Sequence, residues 1–418
     1  MSRVAVIGAG PSGLAVVRAL LHDPIKFKVT VYETRAQPGG VWAYTGHGPV
    51  YRDLDTNIFK DLMEYRGFPF AAELPTYPGR EDVYQYVMSY YEKVRHAEPG
   101  SGALSFRFGS AVTDIVKRGA GFAVHSNGAA DEFDFVVVAS GHFEKPLIPA
   151  IDGLEAYMHA NPGKVLHTRY YDNPDRYKSQ KVLVVGNGSS GTDINIQLRG
   201  TARAPIHVSR RHETAGDAVF GPADVTWRPE ARQISADGTV TFVDGSTDLF
   251  DAIILATGYL YSVPFLENLS ASCPVPLLDP EELRVPNVHK YIFAIGEPRI
   301  AFVALNQQVV PMPLSECQAA VIARVFGGRL ALPPRAAMLA EEADTVAAKG
   351  SQQGYLRMGY PNDVEYMRML TDWAAQAPEG FRAERWGPEK ADMRSRVAKA
   401  KLADYARKLE EARRHSAQ

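Results

Sequence analysis

Two segments of this sequence have the residue types and spacing of a turn that binds a dinucleotide. The first contains Gly8, Gly10, Pro11, Ser12 and Gly13, and the second contains Gly186, Gly188, Ser189, Ser190 and Gly191. In such a turn the first glycine permits a tight bend, the second lets the backbone approach a pyrophosphate, and the third lets a helix pack on a strand. The helix N-terminus then offers unpaired N–H groups to the phosphates. One such turn is a weak signal, but two copies, each after a valine-rich strand, are a strong one.

The residues that end the next strand differ in charge between the two copies. Glu33 ends it in the first copy, where a carboxylate accepts hydrogen bonds from a ribose with free hydroxyls and repels a 2′-phosphate, which predicts FAD or NAD. Ser209, Arg210 and Arg211 take the matching place in the second copy, where guanidinium groups suit a 2′-phosphate and predict NADP. The alternatives are a glycine turn and a solvated arginine pair that bind nothing. Both dinucleotides together are typical of an electron-transfer enzyme that uses FAD and NADPH.

The elements that must position these residues belong to an α/β fold. Residues 4–7 and 182–185 are continuous apolar runs, as expected for parallel strands that helices cover on both faces. Residues 136–141 and 253–258 read as apolar strands that end in small residues, where the backbone must lie close to a bulky neighbour. The sequence therefore predicts two Rossmann-like, doubly wound dinucleotide-binding domains.

The domain boundaries follow from changes in composition. Residues 170–179 are polar and contain proline, as in a linker, and a proline-rich loop follows Gly258. We therefore expect a NADP-binding domain, residues 177–275, inserted into a discontinuous FAD-binding domain, residues 1–176 with 276–418.

Three helices are expected outside the two glycine turns. Residues 81–96 and 314–326 have helical patterns. The charged tail from about 393 to 414 carries apolar residues on one face, which favours a docked surface helix over one that binds a partner or a membrane surface.

The composition excludes several classes of function. The 418 residues include 46 Lys and Arg against 48 Asp and Glu, a formal net charge of −2, which lacks the basic excess of a nucleic-acid binder. Cys273 and Cys317 cannot form a disulfide scaffold or a four-cysteine zinc site, and they favour a reducing, cytoplasmic location. The histidines His142, His159 and His167 lack a carboxylate cluster, so no metal site is predicted. No apolar stretch reaches the roughly 20 residues of a membrane span.

Together with further segments, the glycine turns resemble those of the class B flavin-dependent monooxygenases, and within that group the flavin-containing monooxygenase family. The resemblance runs from Val4 to about Gly328. The further segments are Gly39-Gly40-Val41-Trp42, Leu54-Asp55-Thr56-Asn57, Ala256-Thr257-Gly258-Tyr259 and residues 312–318. Gly163, His167 and Tyr171 match the pattern that identifies the family, whereas Asn161 stands where the family has phenylalanine.

The resemblance implies that NADPH delivers a hydride to FAD and that the reduced flavin reacts with oxygen to give a C4a-(hydro)peroxyflavin. An amine nitrogen or a sulfur of a small-molecule substrate then attacks the distal oxygen. The residues that the further segments add to the expected cofactor contacts are Gly40, Val41, Trp42, Thr56, Ala256, Thr257 and Gly258. Asn57 is the expected catalytic residue, which orients or hydrogen-bonds the peroxide, although an asparagine in a turn is common. His167 is expected to organise the linker rather than to transfer protons.

Other functions stay open. Baeyer–Villiger monooxygenases carry Trp-Pro where this chain has Tyr171-Asp172, which disfavours a ketone-to-ester reaction without excluding it. A flavin disulfide reductase is disfavoured because the chain has no CxxC pair. A redox sensor that holds FAD and NADP(H) without turnover is an alternative from a different class. A homo-oligomer is also left open by the sequence.

Overall fold

The computed structural model describes residues 1–96 and 104–416 and shows a mixed α/β protein. Its chain divides into two compact units. Unit 1 consists of Met1–Ala43, Asp55–His142 and Leu260–Ser395, and unit 2 consists of Tyr44–Leu54, Phe143–Tyr259 and the chain from Arg396 onwards. Each unit contains one of the two glycine turns.

Helices and strands follow each other along both units. The helices of the described ranges are α1 (Pro11–Leu21), α2 (Lys60–Met63), α3 (Arg80–Arg95), α4 (Leu154–Ala160), α5 (Ser189–Arg199), α6 (Glu267–Ser272), α7 (Pro311–Phe326), α8 (Arg335–Lys349), α9 (Gln352–Tyr355), α10 (Asn362–Ala374) and α11 (Pro388–Ser416). The strands are β1 (Ser2–Ile7), β2 (Phe27–Tyr32), β3 (Leu104–Arg107), β4 (Val112–Arg118), β5 (Gly121–Ser126), β6 (Ala129–Phe133), β7 (Phe135–Val138), β8 (Lys145–Pro146), β9 (Val165–His167), β10 (Val182–Val185), β11 (Ile206–Ser209), β12 (Val225–Arg228), β13 (Ala231–Ile234), β14 (Thr239–Phe242), β15 (Thr247–Leu249), β16 (Ala252–Leu255), β17 (Tyr259–Leu260), β18 (Val288–His289), β19 (Phe293–Ala294) and β20 (Ile300–Phe302).

A seven-stranded sheet forms the centre of unit 1, in the order β18-β19-β20-β7-β1-β2-β3. β1 pairs in parallel with β2 and with β7, so that Val4 lies opposite both Val29 and Phe135. Because this strand is central and covered on both faces, the sequence that forms it is a continuous apolar run. A second sheet, β4-β5-β6, is antiparallel.

Two of the predicted helices lie in unit 1. α3 and α7 confirm the helices expected at 81–96 and 314–326, with starts one and three residues earlier in the chain. α7 begins with Pro311, whose missing N–H costs nothing at the first helical position. α7 packs along α1, the helix that follows the first glycine turn.

A five-stranded parallel sheet forms the centre of unit 2, in the order β12-β11-β10-β16-β9. Val184 of β10 lies opposite Val208 of β11 and Ile254 of β16. The chain winds outward from β10 through α5 to β11, as it winds from β1 through α1 to β2 in unit 1. Both units therefore have the strand order of a doubly wound dinucleotide fold, with a crevice at the carboxyl ends of the central strands. The fold class predicted from the sequence is confirmed.

The bounds of the two units differ from those of the two expected domains, which were residues 177–275 and residues 1–176 with 276–418. β9 pairs in parallel with β16, so the chain joins the second sheet before residue 177. Residues Leu260 to Ser272 belong to unit 1, where α6 packs on β4. These bounds do not show which dinucleotide each unit binds, so FAD in unit 1 and NADP in unit 2 stay predictions.

The charged tail forms the long helix α11, which belongs to unit 2 from Arg396 onwards. Tyr405 and Leu409 are buried, as expected for a docked surface helix. Near the end of this helix, Arg413 binds the carboxylate of Asp224, whose side chain is 1% exposed and also binds Arg199. Burial raises the pKa of Asp224, but hydrogen bonds from Arg413, the Gly221 N–H and Arg199 outweigh it and lower that pKa to about 2.

Removal of the Arg413 side chain should destabilise unit 2. We expect Arg413→Ala to lower the free energy of unfolding at pH 7 by about 1–3 kcal/mol, because a buried carboxylate loses a charged donor. Urea denaturation measures this change. The matched control is Lys399→Ala in the same helix, since Lys399 is exposed and makes no ion pair within the described ranges.

The pH dependence of this difference follows from the pKa of Asp224. Its folded-state pKa of about 2 lies below the unfolded-state value of about 3.9, so the ion pairs stabilise the fold fully above about pH 5. This contribution is lost as the pH falls through 2. The difference between wild type and Arg413→Ala should therefore shrink between pH 5 and pH 2, and a constant difference would contradict the assignment.

Candidate functional site

The first glycine turn leaves β1 at the carboxyl end of the sheet and packs against the end of β7. Gly8 has a φ of +113° and donates its N–H to the carbonyl oxygen of Tyr32 at 2.7 Å. A Cβ on Gly8 would lie 2.5 Å from the carbonyl oxygen of Ala139, and one on Gly13 would lie 2.0 Å from the oxygen of Gly8. These contacts explain why glycine stands at both positions. The sequence predicted a close neighbour for the small residues after β7. That neighbour is the glycine turn, which contacts Ala139.

The segment Gly39–Trp42, one of the further segments of the family resemblance, lies directly against this turn. Gly39 donates its N–H to the oxygen of Ala9 at 3.1 Å, and a Cβ on Gly40 would lie 2.9 Å from the Cα of Gly10. Arg35, which the sequence analysis missed, holds the segment by hydrogen bonds to the carbonyl oxygens of Gly40 and Ala43. Gly39 and Gly40 thus bring their segment against the Gly8–Gly13 turn. The side chains of Val41 and Trp42, in the same segment, remain partly exposed.

The N-terminus of α1 can accept an anion. Gly10 is its N-cap and supplies no side-chain hydrogen bond, and Pro11 follows at the first helical position. The free N–H groups of the first turn and the helix dipole favour a phosphate there. The Ser12 hydroxyl lies 2.9 Å from that of Ser315 in α7, so it links the two helices.

Glu33 is buried at the rim of the first turn. Its Oε2 accepts a hydrogen bond from the N–H of Ala9 at 2.9 Å, and its Oε1 accepts one from the N–H of Arg35 at 2.9 Å. A carboxylate has about four acceptor positions, so two remain for ribose hydroxyls. With the uncapped helix and the glycine cradle, this arrangement fits a dinucleotide without a 2′-phosphate.

Thr56 and Asn57 lie in a turn of unit 1 with different surroundings. Thr56 is buried, donates its N–H to Pro78 at 3.1 Å and its hydroxyl to Ile58 at 3.1 Å. Asn57 is exposed, and its amide has no hydrogen bond to any residue in the described ranges. The structure therefore fixes the turn through Thr56 and leaves the Asn57 side chain exposed, without joining Asn57 to the glycine turn.

The second glycine turn repeats the geometry of the first. Gly186 has a φ of +107°, and a Cβ on it would lie 2.5 Å from the carbonyl oxygen of Ala256. A Cβ on Gly191 would lie 2.3 Å from the oxygen of Gly186. Gly188 has more space than Gly186 and Gly191: its φ is −71°, and a Cβ on it would meet no atom within 4 Å. Because α5 also begins without a side-chain cap at Gly188, the open space beside this residue fits a phosphate group.

The three residues expected to bind a 2′-phosphate have different positions in unit 2. Ser209 is buried, donates its hydroxyl to Pro229 at 2.9 Å and accepts from the N–H of Ala231 at 3.0 Å, so it belongs to the fold rather than to the surface. Arg210 forms ion pairs with two acidic side chains and is 16% exposed. Arg211 is 73% exposed, with one acidic neighbour at 3.9 Å. Of the three, Arg211 is the one whose guanidinium is accessible to a phosphate.

Residues 256–258 lie at the end of β16, beside β10. Ala256 donates its N–H to Val185 at 2.8 Å, and Thr257 donates its hydroxyl to Leu147 at 2.6 Å. His167 Nε2 is 2.9 Å from the oxygen of Gly258. Its Nδ1 accepts the N–H of Arg169 at 3.1 Å, so the ring is neutral with its proton on Nε2.

Burial lowers the pKa of His167 to about 4, despite the hydrogen bond to Gly258. Both ring nitrogens are used within unit 2. These contacts support the expectation that His167 organises this segment rather than transferring protons.

The described residues offer neither a metal-binding cluster nor a helix suited to a bilayer. Within residues 1–96 and 104–416, no group of three His, Cys, Asp or Glu side chains could hold a metal ion. None of the helices in those ranges combines the length and the apolar character of a bilayer crossing.

Comparison with known proteins gives a consistent result. The sequence profile of one protein family, described as "Flavin-binding monooxygenase-like", matches residues 1–216 and 219–379. The thiol-specific monooxygenase of Saccharomyces cerevisiae is 33% identical over 341 residues, which cover 78% of this chain and 77% of the yeast protein. The trimethylamine monooxygenase of Roseovarius sp. is 29% identical over 396 residues, covering 88% of this chain and 84% of that protein.

A solved structure has the same fold over the whole chain. The S-allyl-L-cysteine S-oxygenase from Allium sativum superposes with a TM-score of 0.82 at 24% identity, covering 100% of this chain and 98% of that one.

A methyl group at Gly188 should weaken coenzyme binding without harming the fold. The φ and the open space suit alanine, but its Cβ would occupy the place predicted for a phosphate. We expect Gly188→Ala to lower the unfolding midpoint only slightly, since alanine is a poorer N-cap than glycine, and to raise the dissociation constant for NADPH about tenfold or more, as measured by titration calorimetry. Gly191→Ala is the steric control and should instead lower the midpoint strongly. Unchanged NADPH affinity in Gly188→Ala would exclude a phosphate at this turn.

Loss of the Arg211 side chain should affect NADPH selectively. We expect Arg211→Ala to raise the KM for NADPH about tenfold, because a charge-assisted hydrogen bond to the 2′-phosphate is lost, and to leave the KM for NADH within twofold. Arg203→Ala is the matched control, since Arg203 is 59% exposed and also has an acidic neighbour at 3.9 Å. Equal changes for both coenzymes would show that Arg211 does not bind the 2′-phosphate.

Proposed function

Because the chain belongs to the flavin-binding monooxygenase-like family, it is an enzyme of flavin-dependent oxygenation, and we propose that it uses FAD and NADPH to oxygenate a nucleophilic sulfur or nitrogen of a small molecule. One observation supports this proposal most directly. Two glycine turns of the same geometry have rims of opposite charge, Glu33 in unit 1 and Arg211 in unit 2. A flavin dinucleotide suits the first and a phosphorylated nicotinamide dinucleotide suits the second.

When bound, NADPH and FAD would supply the reducing equivalents and the activation of O2, so that one oxygen atom would enter the substrate and the other would leave as water. The protein has no need of a strong acid–base pair for this chemistry. Its tasks are to place the cofactors, to supply hydrogen bonds and to keep water from the reacting atoms.

In unit 1 the proposed task is to hold FAD. The first turn of α1 binds the pyrophosphate through its free N–H groups, and Glu33 accepts hydrogen bonds from the ribose. The segment Gly40–Trp42, fixed next to the turn by Arg35, would contribute further contacts to the FAD. Asn57 is the proposed catalytic residue, because its exposed amide would be able to donate a hydrogen bond to the oxygen that is transferred.

In unit 2 the proposed task is to hold NADPH. The N-terminus of α5 and the open space at Gly188 accept the pyrophosphate. Arg211 binds the 2′-phosphate, while Ser209 supports the strand that carries it. Thr257 and Gly258 hold the end of β16 beside the second turn, through Leu147 and His167.

Sulfur is the first substrate class that we propose. The yeast relative is named a thiol-specific monooxygenase, and the structural relative from garlic is named an S-allyl-L-cysteine S-oxygenase. An amine is the second class, because a relative of similar coverage is named a trimethylamine monooxygenase. Both classes present a nucleophilic lone pair that can accept the transferred oxygen atom.

Product analysis distinguishes these functions. We expect the FAD-loaded enzyme to consume NADPH faster in the presence of a thiol or thioether, and to insert one atom from labelled O2 into the sulfur product, as detected by mass spectrometry. Trimethylamine tests the second class and cyclohexanone tests the Baeyer–Villiger alternative. An ester as the main product would replace our proposal by that alternative. Hydrogen peroxide as the sole product with every substrate would favour a redox sensor.

A further inference from the structure

A buried carboxylate in unit 2 joins two parts of the proposed NADPH site. Asp217 lies in the short 3-10 helix Ala215–Val219 and is 8% exposed. It accepts hydrogen bonds from the Asn187 amide at 3.1 and 3.0 Å, and it forms an ion pair with Arg210. Thr214 donates its N–H at 3.0 Å and its hydroxyl at 2.8 Å to the same group.

The Asn187 side chain connects this carboxylate to the second glycine turn. Asn187 stands between Gly186 and Gly188, and its side chain is buried. Its side-chain amide also donates to the backbone oxygen of His212 at 3.0 Å. The backbone carbonyl oxygen of Asn187 accepts the Thr214 hydroxyl at 3.2 Å. Side chain and backbone of Asn187 are therefore both held, which fixes the conformation of the turn that faces the pyrophosphate.

The Arg210 side chain connects the same carboxylate to the rim of the site. Its guanidinium binds Asp217 through one terminal nitrogen and Glu213 through the other, at 2.9 Å. One face of the guanidinium lies over the Trp227 ring, 4.1 Å from its centre. Arg210 is thereby held in a single orientation directly before Arg211, the residue proposed to bind the 2′-phosphate.

A purely local role of Asp217 accounts for only part of this network. The bonds with Thr214 form a capping box, which stabilises the start of the short helix. Asn187 and Arg210 come from the glycine turn and from the end of β11, and neither is required for such a cap. Burial of a charged carboxylate is costly unless it is fully paired, so the fit of these partners defines one arrangement of turn and rim.

We propose that Asp217 is a positioning residue for NADPH: it holds the second glycine turn and Arg210 in one arrangement, so that the pyrophosphate and the 2′-phosphate of one ligand are bound together. This inference rests on the proposed function, which assigns NADPH to unit 2. Asp217 touches neither end of the ligand in this account. It acts through Asn187 and Arg210.

The test is the isosteric substitution Asp217→Asn, which keeps the size of the side chain and removes its charge. We expect the dissociation constants for NADP⁺ and for adenosine 2′,5′-bisphosphate to rise about tenfold, as measured by titration calorimetry. The KM for NADPH should rise in parallel, with kcat at saturating NADPH within twofold of wild type. Asp244→Asn is the matched control, because Asp244 also binds the N–H and hydroxyl of a residue two positions later, Ser246, but is exposed and distant from the turn in sequence.

A double-mutant cycle tests the coupling with Asp217 in place. If Asp217 joins the turn to the rim, the effects of Asn187→Ala and Arg210→Ala on the dissociation constant for NADP⁺ should be non-additive by at least about threefold. Additive effects would overturn the inference even if Asp217→Asn failed to fold.

The outcomes separate this inference from the proposed function. Wild-type affinity for both ligands in Asp217→Asn, with a lowered unfolding midpoint, would reduce Asp217 to a structural cap and overturn the inference alone. A wild-type protein that binds neither NADP⁺ nor adenosine 2′,5′-bisphosphate would overturn the proposed function and the inference with it.

Discussion

The lack of space for a side chain between each glycine turn and the neighbouring strand end determines the rest of this structure. A Cβ on Gly8 or on Gly186 would lie 2.5 Å from a carbonyl oxygen, that of Ala139 or that of Ala256. The third glycine of each turn meets the same limit against the first. Because the backbone can pass so close, each helix begins at the carboxyl end of its sheet with free N–H groups directed at the crevice.

The steric constraint is the same in both units, so in our account it provides two nucleotide sites without determining which nucleotide each one holds. Charge at the rim supplies that distinction. Glu33 keeps acceptor capacity at the first rim after its two backbone hydrogen bonds, and Arg211 leaves a guanidinium exposed at the second. In our account, the protein contributes placement and electrostatics, and the cofactors carry the oxygen chemistry.

The sequence predicted those features that depend on local chemistry. Glycine spacing and apolar runs predicted the two doubly wound units and where their central strands lie in the sequence, because the parallel, doubly covered sheet imposes that pattern. Sequence order alone could not show that β9 completes the second sheet, since that pairing joins residues far apart in the chain. Nor could it separate Ser209, Arg210 and Arg211, whose roles depend on partners elsewhere in the fold. Asp217 could have been noticed, because Thr214-Ala-Gly-Asp217 has the spacing of a capping box.

The central claim is that a flavin held in one cradle receives electrons from a phosphorylated nicotinamide held in the other. Anaerobic addition of NADPH to the purified, FAD-loaded protein, followed through the visible absorbance of the flavin, tests it most directly. Our account predicts that the yellow colour bleaches with NADPH and returns on admission of oxygen. A protein that takes up no flavin, or a bound flavin that stays oxidised in excess NADPH, would contradict it.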